Sequence, residues 1–208
     1  MTENEWYNTL EMRHGKELQQ KFTSACIAIC GLGGLGSNVA ISLARAGIGK
    51  LILIDFDKVD ISNLHRQQYN VSQLGIYKTE AMKQTLSEIA PYCKIVTHTE
   101  KITEDNLSLI ADCDIVCECF DNTECKSMLV NGVAEQYPDK YIISASGMSG
   151  LHTGNIIQTK KLGKRLYICG DGMSDVNSEG TLFAPRVMLC AAHQANTVLR
   201  IIAGKLEV

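Results

Sequence analysis

Short apolar runs alternate with longer amphipathic segments through the first part of the chain. The apolar runs predict buried strands at about residues 25–30, 50–55, 93–98, 114–118 and 140–145. The segments between them have helical periodicity and predict helices at about 35–47, 75–89, 103–110 and 123–136. Strands that alternate with helices of this length are typical of a parallel sheet covered by helices on both faces.

The N-terminal segment precedes this alternation and has a helical pattern of its own. Residues 3–22 predict one amphipathic helix, in which Leu10, Leu18 and Phe22 are spaced among charged positions. By contrast, residues 56–74 form a polar stretch with little periodicity, which predicts a long loop.

The pattern changes again beyond residue 146. Segments at 153–159 and 164–169 predict two strands of a hairpin joined by residues 160–163. A final helix is predicted at 184–203, because Pro185 lies near its start and Gly204 just past its end. The broad apolar stripe of this helix favours core packing first and a dimer face second.

These elements together predict one α/β domain that spans residues 1–208. We expect a Rossmann-like, largely parallel sheet with helices on both faces and an antiparallel C-terminal extension. Within it, residues 1–23 form the N-terminal helix, residues 24–146 a nucleotide-binding core, and residues 147–208 antiparallel strands and the C-terminal helix. A chain of 208 residues is long enough to bury a substantial core.

A glycine-rich turn joins the first predicted strand to the helix that follows it. Gly31, Gly33, Gly34 and Gly36 allow the backbone to approach a ligand, and the helix N-terminus favours a phosphate. Asp55 closes the next strand, near the spacing of about 20 residues expected for a ribose-binding carboxylate. The alternative, a tight turn without a ligand, leaves Asp55 unexplained.

Further polar residues follow the second and fourth strands, whose ends meet at one edge of a parallel sheet. Asn63, Arg66, Lys78 and Asp121 can therefore converge on the nucleotide. Two cations and a carboxylate suit a triphosphate with magnesium: Asp121 would hold the metal, and the cations would neutralise phosphate oxygens.

Each of these residues also has an ordinary structural interpretation. Arg66 and Lys78 could be solvated charges, Asp57 a turn residue, and Asp121 with Asn122 a helix cap.

Net charge, apolar runs and cysteine spacing limit the classes of function that this chain can have. The net charge is −3 and no basic run occurs, which argues against a nucleic-acid binder. No apolar stretch approaches the roughly 20 residues of a membrane span, and the acidic N-terminus is unlike a secretory signal, so we expect a cytoplasmic protein. The nine cysteines include no Cys-x-x-Cys pair, so we expect packing roles for most of them and no zinc site.

The ordered set of motifs resembles the ThiF/MoeB/ubiquitin-activating superfamily over about residues 13–204. The motifs are the glycine run from Gly31 to Gly36, Asp55-x-Asp57, Ser62-Asn63-Leu64-x-Arg66-Gln67, Lys78 and Asp121-Asn122. The segments Gly170-Asp171-Gly172 and Leu182-Phe183-Ala184-Pro185-Arg186-Val187 look closest to the short ThiF-like branch, which is associated with thiamine biosynthesis.

The resemblance implies ATP- and magnesium-dependent adenylation of the C-terminal glycine of a ThiS-like sulfur-carrier protein ending in Gly-Gly. It implies that the glycine loop and Asp55 hold ATP, that Asn63, Arg66 and Lys78 surround the phosphates, and that Asp121 binds magnesium. Asp57 belongs to the same ATP-binding set. The family usually forms homodimers and uses an arginine near the N-terminus, often from the partner subunit. Arg13 is the candidate, although a surface helix charge is an equal interpretation.

Several alternatives stay open at this point. Cys169 lies where many members carry a transfer cysteine, but a packing role is the simpler hypothesis, and His65 lies inside the cationic loop. The chain could instead be an NAD-dependent oxidoreductase, although Arg66, Lys78 and Asp121 have no role in hydride transfer. It could also be a non-catalytic binder of ubiquitin-like proteins, or a superfamily member that activates a different carboxylate or a tRNA.

Overall fold

The computed structural model describes residues 1–208 and contains one seven-stranded sheet. The strands are β1 Cys26–Cys30, β2 Lys50–Ile54, β3 Lys94–His98, β4 Ile115–Glu118, β5 Tyr141–Ala145, β6 Gln158–Leu162 and β7 Leu166–Gly170. Their order across the sheet is β3-β2-β1-β4-β5-β7-β6. All neighbours pair in parallel except β6 and β7, which are antiparallel.

Seven α-helices and four 3₁₀ helices accompany the sheet. The α-helices are α1 Glu3–His14, α2 Lys16–Ser24, α3 Gly34–Arg45, α4 Lys78–Ile89, α5 Thr123–Gln136, α6 Val176–Glu179 and α7 Ala184–Ile202. The 3₁₀ helices are Ile61–Asn63, Val71–Gln73, Glu104–Ile110 and Gly154–Ile156. None of the helices combines the length and the apolar character that crossing a bilayer requires.

Two hydrophobic clusters line the two faces of the sheet. On one face, Ile27 and Ile29 of β1 belong to a cluster of 33 buried residues with α2, α3, α4 and α7. On the other, Ala28 and Cys30 belong to a cluster of 13 buried residues with α5 and the helix Glu104–Ile110. Side chains alternate between faces along a strand, so the apolar run of β1 reflects burial on both sides. The predicted Rossmann-like sheet with helices on both faces is confirmed.

The order of the strands reverses between β1 and β4, and this reversal locates the crevice. Cys30, the last residue of β1, pairs with Ile54 of β2 and with Glu118 of β4. The carboxyl ends of the three central strands are therefore level. Chains that leave β1 and β4 turn to opposite sides of such a sheet, which opens a ligand crevice at that edge.

The prediction of a single N-terminal helix was wrong. Gly15 has a φ of +84° and separates α1 from α2. Beyond this break, the buried Gln19 contacts His14 Nδ1 at 2.7 Å and donates from Nε2 to the carbonyl of Gly47 at 3.1 Å. The turn at Gly15 thus brings both N-terminal helices against the C-terminal end of α3.

The C-terminal prediction needs correction in two respects. Residues 153–157 are not a strand. Arg186 Nη1 donates to the carbonyls of His152 and Thr153 at 2.7 and 3.0 Å, and a 3₁₀ turn follows. The strand begins at Gln158, so the hairpin turn comprises residues 163–165 rather than 160–163. In addition, β7 pairs in parallel with β5, so only β6 is antiparallel.

The segment predicted as a short helix near 103–110 is a 3₁₀ helix with a kink. Asn106 has a non-helical φ of −121°, and its side-chain oxygen accepts the backbone N–H of Thr103 at 2.7 Å. The side chain thus competes with regular helical bonding at this position.

Candidate active site

The glycine loop lies at the carboxyl edge of the central strand and leads directly into α3. Gly33 is the N-cap of α3 and provides no side-chain cap, so the N–H groups of the first turn stay open to an anion. A Cβ on Gly36 would lie 1.8 Å from the carbonyl oxygen of Gly31. On Gly33, by contrast, the nearest atom would be 3.7 Å away. Gly36 is thus required by packing, whereas Gly33 leaves room for a ligand.

Asp55 lies beneath this loop and fixes its shape. One carboxylate oxygen accepts the N–H of Leu32 at 2.6 Å, and the other accepts the N–H of Asp57 at 2.7 Å. Burial raises the pKa of Asp55, against the lowering effects of Lys78 and of these two hydrogen bonds. A carboxylate can accept about four hydrogen bonds, and Asp55 accepts two from the backbone. Its two oxygens can therefore still accept ribose hydroxyls.

Three hydrogen bonds dock the long polar loop against the start of α3. Tyr69 Oη donates to the carbonyl of Leu32 at 2.8 Å, and Gln68 Nε2 donates to Asn38 Oδ1 at 2.8 Å. The backbone N–H of Gln68 donates to Ser37 Oγ at 3.1 Å. The segment predicted as a loop without periodicity is therefore fixed in place by its polar side chains.

This docking brings Arg66 to the rim of the glycine loop. Its Cγ lies 3.5 Å from the point that a Cβ on Gly34 would occupy. Its guanidinium makes only long contacts, with the carbonyl of Ser62 at 3.3 Å and with His65 Nε2 at 3.2 Å. The charge is free to turn toward an anion over the loop.

Lys78 and Asp57 pair with each other. Lys78 Nζ lies 2.7 Å from Asp57 Oδ2, and the lysine side chain is only 7% exposed, whereas that of Asp57 is 49% exposed. The position of Lys78 beside Asp55 places a cation near the predicted ribose site. Asn63 is partly occupied as well, since its Oδ1 accepts the N–H of Asp60 at 3.1 Å.

Asp121 lies in the loop after β4, exposed and without a hydrogen bond or ion pair. The capping role belongs to its neighbour, because Asn122 Oδ1 accepts the N–H of Cys125 at 3.0 Å. No group of three or more His, Cys, Asp or Glu side chains is placed to hold a metal by itself. A single free carboxylate nevertheless fits magnesium, which is commonly bound by one or two carboxylates together with phosphates.

A buried carboxylate holds the Asp121 loop from both sides. Glu118 is fully buried, accepts the N–H of Phe120 at 2.7 Å, and pairs with Lys126 at 2.9 Å. Ser144 Oγ donates to the same carboxylate at 2.5 Å. Glu118 precedes Asp121 and Lys126 follows it, so the pair fixes both ends of the loop that presents Asp121.

Gln67 is a candidate site residue that the sequence reasoning did not select. It is buried, and its Oε1 has no hydrogen-bond partner in the chain. Its Nε2 lies 3.7 Å from a Cβ position on Gly33. An unsatisfied buried amide beside the loop suits a ligand contact. The motif Ser62-Asn63-Leu64-x-Arg66-Gln67 contained this residue, but nothing in the sequence showed that its side chain is buried beside the glycine loop.

Cys169 is completely buried at the end of β7. Its Sγ lies 3.6 Å from Thr159 Oγ1, and burial raises the pKa of the thiol to about 11. A nucleophilic cysteine requires an accessible thiolate. The surroundings of Cys169 therefore favour a packing role.

Arg13 lies near the C-terminal end of α1, a helix that packs at the far end of α3 from the glycine loop. A Cβ on Gly47 would lie 2.6 Å from Leu10 Cδ1, so α1 packs where α3 ends. The glycine loop lies at the other end of α3, about 18 Å away for a helix of 12 residues.

Comparison with known proteins supports what this geometry suggests. The chain belongs to the ThiF family, whose family model matches residues 7–208. It is 33% identical over 193 residues to the adenylyltransferase and sulfurtransferase UBA4 of Lodderomyces elongisporus, covering 89% of this chain and 42% of that protein. It is 34% identical over 191 residues to the ubiquitin-like modifier-activating enzyme 5 of Caenorhabditis briggsae, covering 86% of this chain and 43% of that protein.

The fold also matches solved structures. The tRNA N6-threonylcarbamoyladenosine dehydratase TcdA of E. coli, in complex with ATP, superposes with a TM-score of 0.84 at 22% identity. The match covers 96% of this chain and 94% of TcdA. The chain spans less than half the length of the two curated relatives named above.

The two loop glycines should respond differently to substitution. Gly36→Ala forces a Cβ into the Gly31 carbonyl, so we expect a loss of about 3 kcal/mol of folding free energy or more. Gly33→Ala meets nothing closer than 3.7 Å, so it should unfold like the wild type but bind ATP weakly. Denaturant unfolding and calorimetric ATP titration measure the two effects. Tight ATP binding by Gly33→Ala would contradict a phosphate site at this loop.

The thiols should differ in reactivity. In the folded protein at pH 8, iodoacetamide should modify the half-exposed Cys125 well before Cys169, whose pKa is about 11. Peptide mass spectrometry after timed quenching gives both rates, and the urea-unfolded chain is the control. Equal rates in the folded protein would show that Cys169 is accessible after all.

Proposed function

We propose that this chain catalyses ATP- and magnesium-dependent adenylation of the C-terminal glycine of a ThiS-like sulfur-carrier protein, as a step in thiamine biosynthesis. The proposal depends on one observation: four features lie at the same crevice. They are the uncapped glycine loop, the buried carboxylate of Asp55, the guanidinium of Arg66 and the unpaired carboxylate of Asp121. The similarity to a ubiquitin-like modifier-activating enzyme supports a small protein with a flexible C-terminus as the substrate.

Different residues of the crevice bind different parts of ATP. The N–H groups at the start of α3 receive phosphate oxygens, and Asp55 accepts the ribose hydroxyls. Gln67, whose Nε2 lies beside Gly33 and whose Oε1 has no partner in the chain, completes the polar lining. Lys78 neutralises phosphate charge and exchanges its contact with the half-exposed Asp57 for one with the nucleotide.

The reaction requires positioning and charge stabilisation rather than a general base. A carboxylate oxygen of the carrier forms a bond to the α-phosphorus, and the bond from that phosphorus to the bridging oxygen breaks, releasing pyrophosphate. The attacking carboxylate is already ionised at neutral pH, since its unperturbed pKa is about 3.3–3.7. Negative charge grows on the phosphoryl oxygens, and Arg66, Asn63 and Lys78 are placed to stabilise it.

Asp121 is the residue that would hold magnesium, and the metal would supply neutralisation of the phosphate oxygens. Its exposed carboxylate has no partner within the chain, and Glu118 with Lys126 keeps its loop in place. Arg66 and Asp121 have no part in a hydride transfer, which sets the oxidoreductase alternative aside.

The catalytic assignment is tested by pyrophosphate exchange into ATP, with magnesium and a ThiS-like carrier. Arg66→Ala and Lys78→Ala should each raise the barrier by about 2–4 kcal/mol, because each removes a group that stabilises transition-state charge. Asp121→Ala should abolish exchange. Lys58→Ala is the matched control, since its ammonium lies over the Tyr77 ring rather than at the crevice. Near-normal exchange in the three site variants would refute the assignment.

We also propose that the enzyme acts as a homodimer. Arg13 belongs to α1, which packs near Gly47 at the end of α3 remote from the glycine loop, so a catalytic Arg13 would act on the site of a second copy. A closed twofold arrangement, the commonest symmetry of homo-oligomers, would supply it reciprocally to both sites.

Mixing two inactive variants tests this arrangement. Arg13→Ala and Asp121→Ala should each be inactive alone, but an equilibrated equal mixture should recover about one quarter of wild-type exchange, since half of the dimers would contain one intact site. Size-exclusion chromatography with light scattering confirms the assembly. A mixture that stays inactive although the subunits exchange would exclude an arginine supplied by the partner.

A further inference from the structure

A buried guanidinium connects three segments near the crevice. The side chain of Arg186, in the first turn of α7, is 5% exposed. It donates from Nη1 to the carbonyls of His152 and Thr153 at 2.7 and 3.0 Å, and from Nε to the carbonyl of Met148 at 3.4 Å. Its Nη2 donates to Asp171 Oδ2 at 2.6 Å. One side chain therefore ties the loop after β5 to the loop after β7.

Asp171 extends this connection into the segment that follows β7. Its side chain is fully buried, and it accepts the N–H groups of Met173 and Ser174 at 2.8 and 2.9 Å and the hydroxyl of Ser174 at 2.8 Å. The N–H of Ser149 in turn donates to Ser174 Oγ at 3.1 Å. Residues 146–153 and 171–183, here named the C-terminal wall, are thus held as one unit.

The wall lies on the β5–β7 side of the crevice, opposite the β2 side that carries Asp55. β5 and β7 follow β4 in the sheet, so their carboxyl ends adjoin the Asp121 loop. Val187, next to Arg186, lies 2.9 Å from a Cβ position on Gly34 of the glycine loop. The β2 side is closed by Asp55 and by the long polar loop, which the hydrogen bond from Tyr69 to Leu32 holds against the glycine loop. An acceptor carboxylate must therefore approach the α-phosphate past the C-terminal wall.

Fold stability alone does not explain the ion pair. Burying a charged pair is costly, and well-packed apolar residues of similar volume often stabilise a protein equally well. A guanidinium has a further effect, because its planar set of N–H donors fixes the relative positions of several acceptors at once. Here the acceptors are three backbone carbonyls and one carboxylate from two loops that would otherwise be independent.

We propose that Arg186 and Asp171 are positioning residues for the acceptor: they fix the C-terminal wall in the geometry that receives the C-terminal tail of the carrier protein. The inference rests on the proposed adenylation of such a carrier. It assigns to the pair an effect on the affinity for the carrier, without contact with ATP.

The test compares Asp171→Asn and Arg186→Lys with wild type in carrier-dependent pyrophosphate exchange, with a ThiS-like carrier as the probe. We expect the KM for the carrier to rise roughly tenfold or more, because misplacing a positioning element by about 1 Å can cost 10²-fold. The calorimetric Kd for ATP should stay within about twofold, since neither variant changes the glycine loop or Asp55. Arg165→Lys, which alters an exposed pair with Asp139, is the matched control.

A second readout does not depend on catalysis. Hydrogen exchange followed by mass spectrometry should accelerate in residues 146–153 and 171–183 of both variants and stay unchanged in the glycine loop. Ser174→Ala removes the hydroxyl bonds to Asp171 and from Ser149 but keeps the Arg186–Asp171 pair, and so provides a milder variant should either substitution prevent folding. Its carrier KM should rise by less than that of Asp171→Asn.

Three results would overturn the inference in distinguishable ways. If wild type shows carrier-dependent exchange but the variants keep its carrier KM, the pair has no positioning role while the proposed function stands. If wild type shows no exchange with the carrier, the proposed function fails and the inference fails with it. A rise in the Kd for ATP that equals the rise in the carrier KM would also overturn it.

Discussion

The buried carboxylate of Asp55 is the interaction on which the crevice depends. Asp55 directly follows β2 and accepts a hydrogen bond from Leu32 in the loop after β1, so it joins the loops of two adjacent parallel strands. Its second oxygen accepts the N–H of Asp57 and so stabilises the turn where the polar loop toward α4 begins. Burying an unpaired carboxylate is expensive, and the two backbone donors together with the nearby Lys78 offset that cost.

Polar groups of the same kind recur along the carboxyl edge. Glu118 with Lys126 holds the loop after β4, and Asp171 with Arg186 holds the loops after β5 and β7. In each case a buried acid at or just after a strand end accepts backbone N–H groups from the loop that follows. The edge is thus built from three buried carboxylates that shape loops, and the exposed Asp121 differs from them in having no partner.

Much of this architecture follows from the sequence, because the apolar runs and the glycine turn are local signals. The β1–glycine loop–α3 unit and the position of Asp55 were predicted from neighbouring residues alone. The break at Gly15 was missed because the helical pattern continues on both sides of this glycine, whereas the packing of α2 beyond it involves the distant Gly47. The start of β6 was missed because Arg186, more than 30 residues away, occupies the carbonyls of His152 and Thr153.

The edges of the sheet carry a consequence for how copies of this protein can associate. β6 and β3 are the two edge strands, and both hold lysines, Lys160 and Lys161 in one and Lys94 in the other. Charged residues on an edge oppose pairing with a further strand, and the antiparallel turn of β6 ends the parallel ladder. Growth of the sheet from one molecule into the next is therefore disfavoured, and contacts between copies are directed toward the helices and loops.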